Sequence, residues 1–283
     1  MGDFEPRASL IIATRNRVEK LAACLEAVSA IETGVPWELL VVDSASTDGT
    51  GELLKGLARK SAVPMRIIQQ SSPGLSLARN VGIEAARGEL LIFTDDDCYV
   101  RPDIIDEYCS LFGDPNLGFA GGRVLLHDPT DFPLGINESN EERRFPAGSA
   151  IPCGFIHGCN LAARRSVLKE IGGFNTRLGP GTRICSAEDW ELVTRIGVSG
   201  WAGGYFPGPT VRHHHGRKRS EAKQRISEYN LGIGAVYSLL IANRRTRGIY
   251  TPHIMRRMLG DMKFRQAKVI TELRGALLFV QKR

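Results

Sequence analysis

The sequence predicts an α/β protein built on a doubly wound, mainly parallel sheet. Three observations carry that expectation. Short apolar runs recur through the first third of the chain, at Ser9–Ala13, Leu39–Val42 and Leu90–Phe93. Amphipathic helical patterns fill the intervals, and polar loop-forming clusters close each run. Strands that alternate with helices of this length pair in parallel, with the helices covering both faces.

Each element has a local reason. Ser9-Leu10-Ile11-Ile12-Ala13 is too short and too apolar for anything but a buried strand. From Arg17 to Ile31, Val18, Leu21, Ala22, Leu25 and Val28 fall on one helical stripe. Leu39–Val42 is the second strand, and Ser46-Thr47-Asp48-Gly49-Thr50 supplies caps for a helix reaching Lys60. Met65–Ile68 is the third strand. Ser72-Pro73-Gly74 is a turn, and a helix over Leu75–Ala86 turns Leu75, Ala78, Val81 and Ala85 inward. The fourth strand, Glu89–Thr94, ends on Asp95-Asp96-Asp97.

Farther on, the spacing predicts a helix over Pro102–Phe112, a strand over Phe119–Leu126 and a mobile loop over residues 127–152. Cys153–Ala163 reads as extended, Arg165–Ile171 as a helix stopped by Gly172-Gly173, residues 175–186 as a loop, and Ala187–Gly197 as a helix. Beyond His215 the chain is basic and helical in character. Leu231–Ala242 is a mainly apolar stretch that suits either a core helix or shallow membrane insertion.

Bulk properties narrow the class. The chain has 283 residues, enough for one large domain with ample core. Met1–Arg7 lacks an apolar signal core, and no apolar stretch reaches the roughly 18 residues needed to span a bilayer. Six cysteines with no Cys-x-x-Cys pair fit reduced thiols better than a disulfide framework or a zinc site. A cytoplasmic protein is therefore expected. The net charge of +6 hides an asymmetry: residues 212–283 hold 17 Lys/Arg against 4 Asp/Glu, while residues 1–211 carry a net −7. Such a tail seeks phosphate, and an anionic membrane surface met by residues 216–283 is the expected partner, at the inner face of the cell membrane; nucleic acid is not.

The chemistry collects at strand ends. Three adjacent carboxylates repel one another unless a cation or solvent compensates. Their oxygens suit Mg²⁺ or Mn²⁺. Thr14-Arg15-Asn16-Arg17 follows strand one, Asp43 follows strand two, and Arg79-Asn80 lies on the helix before the acidic strand. In a doubly wound sheet these loops converge on one edge. Bland readings stand beside each of them: Asp43 as a turn and cap residue, Arg79 as a solvated helix face, Asp95–Asp97 as an acidic turn. Ser186-Ala187-Glu188-Asp189 could equally be a capping box, with Asp in the usual Glu position. His213-His214-His215 offers imidazoles for a metal, or a polar surface turn.

The ordered set of motifs resembles the inverting family 2 glycosyltransferases. Ala13–Arg17, Val41–Thr50, Gly74–Ile83 and Gly88–Asp97 resemble that family's opening; Gly158–Arg165 and Gly172–Asn175 resemble its middle, and Ala187–Leu192 its Glu-Asp motif. The resemblance implies a GT-A fold, Rossmann-like, with a nucleotide-sugar-binding half (1–126), an acceptor-binding half (127–215) and a basic helical C-terminal extension (216–283). It implies transfer from a UDP-linked sugar donor to a saccharide or lipid-linked acceptor in bacterial polysaccharide synthesis, with Mn²⁺ or Mg²⁺ as cofactor. Asp189 maps onto the catalytic base. Asp97 maps onto the metal ligand, and His215 is the histidine preferred as its companion. Thr14, Arg15, Asn16, Asp43, Arg79, Asp95 and Asp96 fall around the donor, and Gly158, Asn160, Glu188 and Trp190 near the acceptor or sugar.

The chain departs from the family at Ala13-Thr14-Arg15-Asn16, at Ser44-Ala45, where Asn or Asp followed by Gly is usual, and at Cys98. Two other classes compete. A sugar-nucleotide nucleotidyltransferase shares the fold but needs a glycine-rich loop after strand one, and this loop has none. A membrane-docked scaffold without catalysis would not need Asp95, Asp97 and Asp189 intact.

Overall fold

A computed structural model describes residues 5–59, 61, 63–264 and 266–281. Strands β1 (Ala8–Thr14), β2 (Trp37–Ser44), β3 (Met65–Gln70) and β4 (Leu90–Asp95) run parallel in the order β3-β2-β1-β4. Helices α1 (Val18–Ser29), α2 (Thr50–Ala58) and α3 (Leu75–Ala85) intervene, as the alternating pattern predicts. β1 and β2 are buried along their whole length, which is why their sequences are continuous apolar runs rather than alternating ones.

The sheet then changes character. β4 pairs antiparallel with β8 (Asn160–Arg164), which pairs antiparallel with β6 (Leu117–Leu126). β6 pairs parallel with β9 (Ala202–His213), and β9 pairs antiparallel with β5 (Cys98–Val100) and with β7 (Arg143–Phe145). Helices α4 (Ile104–Leu111), α5 (Arg165–Ile171) and α6 (Glu188–Val198) complete this half. The extended reading of Cys153–Ala163 holds as strand only from Asn160, and the loop 127–152 contains β7.

β9 is absent from the sequence-based expectations, and its composition explains why. Gly203, Gly204, Pro207, Gly208 and Pro209 are poor strand formers. Packing requires at least one of them: a Cβ on Gly203 would lie 2.0 Å from the Phe119 ring.

Alternate residues of the central strands face two cores. Leu10, Ile12, Leu39, Val41 and Ile92 pack with Leu21, Leu54 and Tyr108 from α1, α2 and α4. Ile11, Leu40, Leu91 and Phe93 face a second cluster that includes Trp190 of α6. That cluster continues into α7 (Arg219–Ala242), α8 (Arg244–Phe264) and α9 (Gln266–Val280) through Val236, Tyr237, Tyr250, Ile254 and Phe279. Residues 232–237 are buried, so the apolar stretch Leu231–Ala242 is largely core and not an inserting face. α7 and α9 cross backbone to backbone. A Cβ on Gly234 would come 1.7 Å from the Glu272 carbonyl oxygen, and one on Gly275 2.0 Å from that of Leu231. Only glycine permits that approach.

Candidate active site

A cavity of about 750 Å³ opens where β1 and β4 end and where the C-terminal helices cover α6. One wall carries Thr14, Arg15, Arg17, Arg79 and Asp95–Asp97, and the far wall carries Gly158, Glu188, Asp189 and Trp190. These side chains come from loops distant in sequence, gathered by the parallel register that aligns Thr14 with Asp43 and Ala13 with Asp95.

The three carboxylates have different partners. Asp95 accepts from Arg79 Nη2 at 2.7 Å, Asp96 from the Thr14 hydroxyl at 2.8 Å, and Asp97 from Arg17 Nη1 at 2.8 Å. Burial and the neighbouring carboxylate push Asp96 up to about 7, against the pull of Arg17. Burial also acts on Asp97, but hydrogen bonding from His213 and the Arg17 charge outweigh it and hold that carboxyl well below the usual range. His213 Nε2 sits 3.3 Å from Asp97 Oδ1 and is raised to about 9: burial opposes its charge, and Asp97 overrides burial.

Of the histidine triplet only His213 lies in β9; His214 and His215 follow its end. His213 faces Asp97. His214 points away, with Nδ1 2.8 Å from the Tyr99 hydroxyl. His215, the preferred residue from sequence, lies outside the cavity wall: its side chain is fully buried, Nδ1 accepts the Arg217 N–H at 3.0 Å, and Nε2 has no partner. Its ring centroid is 5.1 Å from that of His213. The pairing of β5 with β9 sets Cys98 opposite His213 and holds His213 beside the acidic tip, while His215, past the strand's end, lies against Asp131. Asp97 and His213 offer a carboxylate and an imidazole side by side in the cavity, a donor set that fits Mn²⁺ or Mg²⁺ bound with a diphosphate.

Arg79 is the centre of the site's electrostatics. At 2 % exposure it donates to Asp95 and, through Nη1, to Glu188 Oε1 at 3.2 Å, while its guanidinium stacks 5.2 Å from the Phe174 ring centroid. It joins the acidic tip to the start of α6. Burial first, then the adjacent Asp189, push Glu188 up from 4.5 to about 7, with Arg79 opposing. A carboxyl raised in this way keeps its proton in the folded chain longer than in the unfolded one. Its contribution therefore favours folding most at low pH and is lost as pH rises from about 4.5 to about 7. Glu188→Gln should remove that slope. The melting temperature of the variant relative to wild type should climb across the window and then level off. A difference that falls with pH would mean that Arg79 dominates Glu188 instead.

Asp189 carries no ion pair among the described residues. Its Oδ2 accepts the Gly158 N–H at 2.9 Å and its Oδ1 the Trp190 N–H at 2.7 Å, so backbone donors aim the carboxylate. Trp190 anchors the helix: its indole N–H donates to the Ile151 carbonyl at 2.8 Å, and its ring meets Tyr237 of α7 edge-on. Ala187, directly before, has φ +68°; Asn16 (φ +51°) and Ala45 (φ +57°) adopt the same left-handed region in the loops after β1 and β2. These are the non-glycine residues of that kind among those described, and each borders the site, as expected where geometry is held for function.

Several expected site residues do not line the cavity. Asp43 is 2 % exposed and accepts the Ser46 N–H at 3.1 Å, with Ser44 on the wall instead. Asn16 ties its loop to the next by accepting the Thr47 N–H at 2.7 Å. Asn160 is spent on structure: it accepts from Tyr108 and donates to the carbonyls of Arg123 and Pro209. Sequence reasoning in turn missed the cations that α7–α9 bring to the far wall: Arg225, Arg257 and Lys268. Their only sequence signal is the basic tail.

Comparisons with known proteins identify the family and the fold. The family model described as "Glycosyl transferase family 2" matches residues 9–172. The chain is 28% identical over 177 residues to the glycosyltransferase AglE of Haloferax volcanii, and 28% identical over 195 residues to the O-antigen chain rhamnosyltransferase WbaN of Salmonella anatum. Those matches cover 62% and 65% of this chain, and 58% of each relative's length. Among solved structures, the mannosyltransferase PcManGT from Pyrobaculum calidifontis, in complex with GDP-Man and Mn²⁺, superposes with a TM-score of 0.70 at 20% identity, covering 99% of this chain and 77% of that one. TarS 1-349 of S. aureus in complex with UDP-GlcNAc gives 0.68 at 16% identity, covering 97% and 81%. The shared fold is GT-A.

Proposed function

The chain belongs to glycosyl transferase family 2, and on that premise we propose that it is a metal-dependent, inverting glycosyltransferase. The donor is a nucleotide sugar, UDP-linked, and the acceptor a saccharide or lipid-linked hydroxyl in bacterial polysaccharide synthesis. One observation supports this reading above the rest: Asp189, aimed by two backbone N–H groups, faces the same cavity as the acidic tip Asp95–Asp97.

Residues divide by wall. Thr14, Arg15 and Arg79 serve the nucleotide, with Asp43 behind Ser44 shaping the base pocket. Asp97 and His213 hold the divalent ion, which offsets the charge of the leaving diphosphate when bound. Asp189 takes the proton of the acceptor hydroxyl as that oxygen attacks the anomeric carbon and the bond to the diphosphate breaks. A base on the face opposite the leaving group makes this one displacement, with inversion. A thermal-shift screen of nucleoside diphosphates with and without Mn²⁺ tests the donor half: a metal-dependent rise with one base names the donor class. No rise with any of them would remove the reading.

The acceptor side favours a membrane. No helix of the described residues is long and apolar enough to cross one. Among the described residues nine large apolar side chains are exposed, and eight of them lie between Ile226 and Val280. Ile270, Leu273, Leu277 and Val280 make one outward stripe on α9, and Met255 and Leu259 another on α8, with exposed Arg244, Arg245, Arg256 and Arg274 on the same two helices. Exposed apolar stripes among arginines suit an anionic bilayer at the inner face of the cell membrane. Sedimentation of the full chain with phosphatidylglycerol vesicles should fall at least several-fold in Leu273→Glu/Leu277→Glu. Equal binding by both chains, or none by either, would remove the membrane partner.

A further inference from the structure

All six cysteines are free, and their spacing in sequence gives no sign of a metal site. The fold nonetheless brings two of them together. Cys98 opens β5 directly after the acidic tip, Cys159 precedes β8, and His213 ends β9 opposite Cys98 in the ladder. The two Sγ atoms and a ring nitrogen of His213 all lie within 4.8 Å of one another. Cys98 Sγ is also 4.0 Å from Asp97 Oδ1, the oxygen that faces His213 Nε2.

A second observation separates this cluster from ordinary core packing. His213 Nδ1 is buried without a hydrogen-bond partner, and such orphaned nitrogens are uncommon unless a ligand or ion satisfies them. The cluster is also reachable, since Asp97, Cys159 and His213 line the cavity wall. Cys98 lies just behind them.

We propose that Cys98, Cys159 and His213 form a binding site for a thiophilic divalent ion, zinc in the first place, at the floor of the active-site cavity. An ion on Nδ1 leaves Asp97 facing Nε2, where it orients the imidazole, and water completes the shell. Two sulfurs, one imidazole and one water are a tetrahedral donor set that zinc takes and magnesium does not. Binding would release the two thiol protons and the imidazolium proton of His213 to solvent as the Zn–S and Zn–N bonds form, so uptake lowers the pH of a weakly buffered solution. The site shares His213 with the harder ion proposed for the donor. Zinc held by the thiols therefore withdraws that imidazole from that service, and the rate of transfer falls with zinc in a way that added Mn²⁺ does not readily reverse.

The test uses the full chain, reduced and freed of metal, and needs neither donor nor transfer, so its outcome is independent of the proposed reaction. Titration with Co²⁺ should give a thiolate-to-cobalt charge-transfer band that saturates at one equivalent and disappears on adding Zn²⁺. Cys98→Ser and Cys159→Ser should each weaken the band, and the double variant should lack it. No band in wild type, or an undiminished band in the double variant, overturns the proposal. X-ray absorption of the zinc-loaded wild-type chain needs no variant. Two sulfur scatterers at about 2.3 Å support the site, and a shell of nitrogen and oxygen alone overturns it.

Discussion

Asp189→Asn should lower the rate of sugar transfer by roughly 10²- to 10⁴-fold, the range that a positioned general base contributes. The substitution keeps size and shape. The single amide oxygen can accept either the Gly158 N–H or the Trp190 N–H that Asp189 accepts now, so one of the two backbone contacts at the start of α6 is kept. What is lost is the capacity to take a proton. The measurement pairs a steady-state rate with nucleotide affinity by thermal shift, and affinity should be unchanged because the donor wall does not touch this residue. Full transfer with Asn at 189 would move the base elsewhere. Glu188 is then the obvious alternative, although its burial and its bond to Arg79 suit it poorly for contact with an acceptor.

Arg79→Met should cost about 3–5 kcal/mol of stability, the range for removing one partner of a buried ion pair. The side chain is 2 % exposed, so solvent cannot replace it. Its loss strands Glu188 fully and Asp95 in part, since Asp95 retains 27 % exposure of its side chain. Urea unfolding at neutral pH reads the effect, and Glu188→Gln in the Arg79→Met background should recover part of the loss. A double-mutant cycle with no coupling between the two positions would show that the 3.2 Å contact contributes nothing. The variant should also bind nucleotide more weakly, because Asp95 would no longer be fixed.

β1, β2 and β4 were legible because each is a buried apolar run closed by a polar turn, and half-buried edge strand β3 because Met65–Ile68 lies between turns. β9 was not, because Gly203, Gly204, Pro207, Gly208 and Pro209 contradict local strand preference; the pairing partners β5, β6 and β7 impose the conformation. The same limit applied to the histidines. Three in a row are indistinguishable until the fold shows that β9 ends at His213, opposite Cys98, with His214 and His215 beyond it. Arg79 shows the opposite case. Read alone it resembled a solvated helix residue, yet the motif around it pointed to the nucleotide, and the fold buries it between two carboxylates. Asn160 sits in a motif with family-like spacing, but its side-chain hydrogen bonds are all spent on Tyr108, Arg123 and Pro209, a fact no one-dimensional pattern carries.

Because Trp190 rests on Tyr237 and the Tyr250 hydroxyl accepts the Ile151 N–H, the last three helices cannot be treated as a detachable appendage. Exchanging them with those of a related chain, in the hope of redirecting the protein to a new acceptor, would also reset the tilt of the helix that presents Asp189. Hybrids of this kind should fail in catalysis before they reveal any altered preference, unless the residues beneath the seam travel with the graft.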